Sequence, residues 1–338
     1  MPPMPADPPA LDPDALSWQT LPLSDGATMA WCQGGDPAGL PVVVLHGGPG
    51  GRTRAPTLRW WQDLPVRWIA YDQRGCGRST PRGGLQGNDL GTLLQDLERL
   101  REHLGLARWA VVGGSWGALL AVAYAAHCPQ RVTGLFLRSR FTGSEAECRR
   151  YMAPWAEWLG PDGRAALGAQ GERLLQWVCQ GATALCDDGS ATFEQLAQDE
   201  ALAAAWAGFD DAQSAPGGVG DAAAQRRWRP GGAVPAVADW RVFLYLAGQR
   251  FGVGAAGVAA PAVPPGPVWL VHGEADAVCD PAGSAALATA WPAARHVVVP
   301  GGAHAMSHPP MAAALQGAAR AWAAALQQEA QVFQRSLR

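Results

Sequence analysis

An apolar strand that stops at a glycine-flanked serine and turns at once into a helix leaves few folds open. The stretch Val111-Val112-Gly113-Gly114-Ser115-Trp116-Gly117-Ala118-Leu119-Leu120 has that form. Gly113, Ser115 and Gly117 give the spacing G-x-S-x-G, which places a serine on a tight, strained turn. Glycines two residues to either side leave room for neighbouring backbone and for a bound molecule. The helix that follows aims its N-terminus at the serine, where developing negative charge is favoured.

The segments around this turn alternate. Leu16 to Leu23 and Thr28 to Cys32 read as short strands joined at Asp25-Gly26, a hairpin signal. Pro41 to Leu45 is a continuous apolar run, as expected of a strand buried on both faces of a parallel sheet. It ends in His46-Gly47-Gly48-Pro49-Gly50. Trp68 to Tyr71, Trp109 to Gly113 and Val132 to Leu137 repeat the pattern, and so do Val268 to Val271 and His296 to Val299. Between them, Leu90, Leu93, Leu94, Leu97, Leu100 and Leu104 follow helical spacing, Trp116 to His127 continues from the serine, and Gln316 to Phe333 closes the chain as a long helix. The expectation is an α/β fold, a mostly parallel central sheet flanked by helices.

From Thr142 to Pro265 no buried-strand pattern occurs, and the segments are helical and rich in Ala, Leu, Gln and Trp. A disordered linker carries few aromatics, whereas this span holds Trp155, Trp158, Trp177, Trp206, Trp228 and Trp240. Residues 142–265 are therefore expected to form a helical cap inserted into a catalytic domain of residues 15–141 and 266–338. The proline-rich residues 1–14 are expected to be a disordered arm without the features of a signal peptide or anchor.

Composition narrows the chemistry. The chain has no lysine, which removes Schiff-base catalysis and a P-loop lysine. A net charge of −3 argues against a nucleic-acid partner, and no run is long and apolar enough for a membrane span. Seven scattered cysteines without a C-x-x-C pair fit a reducing cytoplasm better than a disulfide framework or a zinc site. No metal and no cofactor are expected.

A serine hydroxyl is a weak nucleophile until a histidine takes its proton and an acid fixes that histidine's tautomer. In a strand-turn-helix setting of this kind the acid and then the histidine follow the serine, on loops after later strands. One such loop is His272-Gly273-Glu274-Ala275-Asp276-Ala277-Val278-Cys279-Asp280, and another is Pro300-Gly301-Gly302-Ala303-His304. Ser115, Asp276 and His304 are the candidate triad. Asp280 and Glu274 remain alternatives for the acid, and His308 and His272 for the base. The oxyanion of such a reaction needs two backbone N–H groups, for which Trp116 and Gly48 are the candidates. Ser79 and Ser144 read as turn or cap residues.

Together, the His46–Gly50, Asp72–Ser79 and Gly113–Gly117 motifs resemble the proline iminopeptidase (prolyl aminopeptidase) family of α/β-hydrolases. Arg131-Val132-Thr133 with Leu137-Arg138, Asp276-Ala277-Val278-Cys279 and His304 extend the likeness. The resemblance implies an α/β-hydrolase fold and a metal-free serine peptidase that releases an N-terminal residue, typically proline, from a small peptide. It places Cys279 near the substrate pocket, for which Gly47 and Phe243 are further candidates, and makes residues 72–79 a structural loop beside the site. Family members hold the substrate amino group with two cap glutamates, one in a W-E-G-like segment and one in an R-I-E-N-H-Y-F-like helix. Here Trp228-Arg229-Pro230-Gly231-Gly232 and Arg241-Val242-Phe243-Leu244-Tyr245-Leu246 are the stretches compared, with Gly231 and Phe243 in the glutamate positions. Glu145, Glu147, Glu194, Asp199, Glu200, Asp210, Asp211, Asp221 and Asp239 are the acids available to replace them. The missing glutamates give the alternative expectation, an esterase or amidase for small apolar acyl substrates using the same triad.

Overall fold

The apolar runs pair as one sheet. In the computed structural model, which describes residues 16–181, 193–220, 237–258, 262 and 266–336, eight strands lie in the order β1-β2-β4-β3-β5-β6-β7-β8. These are β1 (Gln19–Pro22), β2 (Thr28–Gly35), β3 (Leu40–Leu45), β4 (Val66–Asp72), β5 (Trp109–Ser115), β6 (Val132–Arg140), β7 (Val268–Gly273) and β8 (Arg295–Val299). β1 and β2 form the antiparallel hairpin and β2 runs antiparallel to β4, while every pair from β4 to β8 is parallel.

Within the described residues, α-helices flank the sheet and fill the stretch between β6 and β7. They are α1 (Ala55–Leu58), α2 (Leu90–His103), α3 (Trp116–His127), α4 (Glu145–Met152), α5 (Trp155–Leu167), α6 (Ala169–Gln180), α7 (Phe193–Gln198), α8 (Glu200–Ser214), α9 (Val237–Gly248), α10 (Pro281–Ala290) and α11 (Pro309–Ser336). Because successive strand residues face opposite sides, β3 and β5 each feed two cores. Val43, Leu45 and Val111 pack with α2 and α3, and this core continues into the helices after β6. Val42, Val44 and Val112 pack with Trp61, Phe136 and Trp322 under α11. No described helix is long and apolar enough to cross a membrane.

The last helix departs from the sequence expectation. It begins at Pro309, not near Gln316. Pro309-Pro310 reads as a helix breaker, but in the first turn a proline's missing N–H costs no hydrogen bond. His308 directly precedes the helix. The arm of residues 1–14, Asp221 and the segment around Gly231 lie outside the described residues.

The order β4-β3-β5 is what positions the site. The chain winds outward in opposite directions from β3, so the carboxyl ends of β3 and β5 border the crevice where ligands bind in open α/β sheets. His46–Gly50 leaves β3 there, and Ser115 ends β5.

Candidate active site

Ser115 is the last residue of β5 and the N-cap of α3, with φ 56° and ψ −124°. This is a sparsely populated conformation for a residue with a side chain, and it persists only where surrounding contacts impose it. Those contacts are tight. A Cβ on Gly113 would lie 2.2 Å from Gly117 O, and one on Gly117 would lie 2.4 Å from Leu45 O. Only glycine lets β3, β5 and the start of α3 approach this closely. Trp116 opens α3, so its N–H is one of those left without an intrahelical acceptor.

The early glycine loop is locked to this turn. Gln73 Nε2 donates to His46 O (2.9 Å), and Trp116 Nε1 donates to Gln73 Oε1 (2.8 Å). His46 accepts the Gln73 N–H at Nε2 (2.9 Å) and donates from Nδ1 to Gly47 O (2.8 Å). That pair of bonds defines a neutral tautomer, and burial holds the His46 pKa down despite the charge of Asp72. Asp72 accepts from the backbone N–H groups of Thr53 (2.7 Å) and Arg78 (2.9 Å). The 72–79 loop is thus scaffolding for residues 46–48. Ser79 and Ser144 serve structure too, Ser79 accepting from Ala30 N–H and Ser144 capping α4.

Asp276 and His304 meet on the loops after β7 and β8. His304 Nδ1 lies 2.9 Å from Asp276 Oδ2 and 3.1 Å from Oδ1. Oδ1 also accepts from the N–H groups of Val278 and Cys279, each at 2.9 Å. Burial alone raises the Asp276 pKa, but the charges and hydrogen bonds of His304 and His272 outweigh it and hold the carboxyl well below its ordinary value. The alternatives have other partners, although His272 Nε2 also lies 3.4 Å from Asp276 Oδ2. Glu274 accepts from Gly301 N–H, and Asp280 caps α10 through Ala282 N–H. His272 is buried with Nδ1 2.7 Å from Ser284 Oγ, and His308 Nδ1 accepts from Ala303 N–H (3.1 Å).

Ser115 and His304 are not hydrogen-bonded to each other. The polar neighbour of Ser115 Oγ is Cys279 Sγ at 3.7 Å. Such contacts are often open in a free site and tighten around substrate. Burial, reinforced by Asp276, pushes the Cys279 thiol well above its ordinary pKa, so it is a neutral neighbour and no thiolate nucleophile.

A partly open cavity lies over Ser115 and is bordered by Gly48, Cys279 and Phe243, with Tyr151, Trp206 and Asp210 also lining it. Phe243 stacks on Trp206 (ring centroids 4.4 Å apart) and on Trp240 (5.7 Å), making an aromatic wall. Gly47 is not on this cavity. Its Cα faces the turn, where a Cβ would meet Gly114 O at 3.2 Å, and it borders a second cavity behind β5.

Two residues that sequence reasoning did not single out complete the site. Asp210, one of nine acids with nothing to set it apart, is the carboxylate on the Ser115 cavity. Tyr151 Oη donates to its Oδ1 (2.8 Å). Asp210 is solvent-exposed, yet the surrounding protein raises its carboxyl pKa by desolvation, with the Tyr151 bond and His304 opposing. Other acids of this region are engaged: Glu145 with Arg149 and Arg250, Glu194 with Arg241, and Asp239 with Arg82. Glu147 is buried against Thr142 and Asp280 N–H, and Asp199 caps α8. Arg150 on α4 is the second. Its guanidinium donates to the carbonyls of Asp276 (2.6 Å), Ala277 (3.2 Å) and Cys279 (3.2 Å). No local pattern marks it; only the fold brings α4 to that loop.

Known proteins resemble this chain in sequence and in fold. A probable proline iminopeptidase from Leptolyngbya boryana is 46% identical over 144 residues, 42% of this chain and 44% of that protein. The proline iminopeptidase of Arabidopsis thaliana is 44% identical over 142 residues, 42% of this chain and 37% of that protein. The chain thus spans under half the length of these curated relatives. Likeness of fold runs further. A proline iminopeptidase-related protein from Thermus thermophilus superposes with a TM-score of 0.59 at 21% identity, covering 92% of this chain and 98% of that one. An esterase from a Rhodococcus species does so with a TM-score of 0.57 at 18% identity, covering 92% and 100%. The family model for the alpha/beta hydrolase fold matches residues 41–308, from β3 through Ser115 and Asp276 to His308. By that match the chain belongs to the alpha/beta hydrolase fold family.

Proposed function

We propose that this protein is a serine aminopeptidase of the proline iminopeptidase type, with Ser115, His304 and Asp276 as its triad. Ser115 Oγ attacks the scissile carbonyl carbon while His304 takes the hydroxyl proton, and Asp276 fixes the imidazole tautomer and stabilises the imidazolium. The Gly48 and Trp116 N–H groups hold the oxyanion. His304 then returns the proton to the leaving amine, and water hydrolyses the acyl-enzyme by the same relay. Residues 142–265 act as the cap that closes over the acyl group.

The observation that carries this reading is Asp210, a carboxylate on the same cavity as Ser115. A substrate ammonium buried there needs a counter-charge. Trp206-Ala207-Gly208-Phe209-Asp210-Asp211 keeps the aromatic-acid order of the family's W-E-G-like segment, which makes Asp210 a better counterpart than Gly231. Free cysteines at six described positions support a cytoplasmic setting, and the substrate is a short peptide.

The test is hydrolysis of proline-naphthylamide by the native chain and by Ser115→Ala, which is expected to abolish turnover. Undiminished turnover by that variant overturns the assignment. A second reading, an esterase or amidase for small apolar acyl groups, is favoured by Phe243, which sets an aromatic ring where the family carries its other glutamate. Parallel assays of prolyl amides and short acyl esters separate the two, because only the aminopeptidase requires a free amine.

A further inference from the structure

Behind the serine turn, on the α11 side of the sheet, lies a second, partly open cavity. Its walls are apolar, with Trp60, Phe136, Met306 and Leu315 among them, and they carry one full charge, Arg138 of β6. Arg138 is buried. Its one hydrogen bond among the described residues runs from Nη1 to His304 O (2.8 Å), and it makes no ion pair there. A guanidinium has five N–H donors in a planar fork suited to a carboxylate; burial lowers the Arg138 pKa, and the Asp276 charge partly offsets this without a direct ion pair. Gly114 leaves the space the fork occupies, since a Cβ there would lie 2.9 Å from both Nε and Nη2.

We propose that this cavity binds a small molecule with an apolar body and a carboxylate head, the head on Arg138 and the body against Trp60 and Phe136. Met306, Thr57 and Trp60 are partly exposed and form its mouth. The pocket is separate from the cap cavity, since the backbone of Gly47 and Gly114 stands between the ligand and Ser115. A ligand seated there touches the catalytic machinery from behind. It meets the loop carrying Gly48, the residue before Ser115, and, through Arg138, the backbone of His304.

The test is direct binding of hexanoate to the full chain by calorimetry, with hexanol and hexylamine as comparators. Hexanoate is expected to bind at least 10-fold tighter than either. Arg138→Gln is expected to weaken hexanoate binding at least 10-fold, with Arg138→Lys retaining part of it. Met306→Trp, at the partly exposed mouth, is expected to weaken it as well and guards against misfolding of the Arg138 variants. Trp206→Ala, which alters only the cap cavity, is expected to leave it unchanged. Equal binding of hexanol, loss of binding in Trp206→Ala alone, or no hexanoate binding at all overturns the proposal.

Discussion

Arg150 on α4 donates a 2.6 Å hydrogen bond to the main-chain carbonyl of Asp276. The first helix after β6 therefore holds the acid of the proposed triad by its backbone, while His304 meets the same residue by its side chain. Arg150 also reaches Ala277 O and Cys279 O, so one cation gathers the whole loop.

Replacing Arg150 by Gln removes the charge and most of the fork. Each hydrogen bond to a charged donor is worth about 1.5–3 kcal/mol, and a loop displaced by 1 Å can cost about 100-fold in rate. The expected outcome is a fall of roughly 10- to 100-fold in kcat with a smaller change in KM. Unchanged kcat in a folded Arg150→Gln variant would remove this residue from the positioning of Asp276.

Asp210 gives a pH signature. Its carboxyl pKa is raised by desolvation, so it takes up a proton at a higher pH than an ordinary aspartate. Binding of an ammonium substrate then weakens as pH falls through that raised value. Asp210→Asn keeps an acceptor for Tyr151 but no charge. It is expected to raise KM for prolyl amides roughly 3- to 5-fold, from up to about 1 kcal/mol for a solvent-exposed ion pair, and to erase the acidic rise in KM. Ester turnover should change little. The sign for stability is opposite, because a carboxyl with a raised folded pKa opposes folding once ionised. Asp210→Asn should therefore be no less stable than the native chain at neutral pH, as read by urea denaturation.

How much of this was legible beforehand follows from geometry. Parallel strands buried on both faces are continuous apolar runs, so β3, β5, β6 and β7 were readable nearly to their ends. The serine turn and the two later loops were readable because each motif is local. Asp210 and Arg150 were not. Neighbouring helix residues point about 100° apart, so within Arg149-Arg150 one guanidinium pairs with Glu145 on the surface and the other turns to the Asp276 loop. Likewise Asp210, not Asp211, lies on the Tyr151 side of α8. Which member of each pair faces inward depends on helix packing that no short motif encodes.

His46 predicts an acid-sensitive fold. Its Nε2 faces the Gln73 N–H, so a second proton would set two donors against each other. Burial depresses the folded pKa, whereas the unfolded chain protonates near pH 6.5. Its contribution is thus intact above about pH 6.5 and declines as pH falls through the depressed folded value, by up to about 1.4 kcal/mol per pH unit. His296, also held down by burial, adds in the same direction. Urea midpoints between pH 7.5 and 5 are expected to fall more steeply for the native chain than for His46→Gln; parallel slopes would refute the neutral-tautomer assignment.

The strained turn at Ser115 carries a stability cost that can be isolated. A residue with a Cβ in a sparsely populated region costs on the order of 1–3 kcal/mol. Glycine adopts positive φ freely but gives up about 0.5–1 kcal/mol through the flexibility of the unfolded chain. Ser115→Ala removes the hydroxyl and keeps the Cβ, and with it the strain. Ser115→Gly removes both. Neither is expected to turn over substrate, so the comparison is one of stability alone. Ser115→Gly should unfold at a higher urea concentration than Ser115→Ala, by a difference of about 1 kcal/mol. If alanine proves equal or better, the φ of 56° at this position stores no energy, and the turn is held by the contacts of Gly113 and Gly117 without strain on the serine itself.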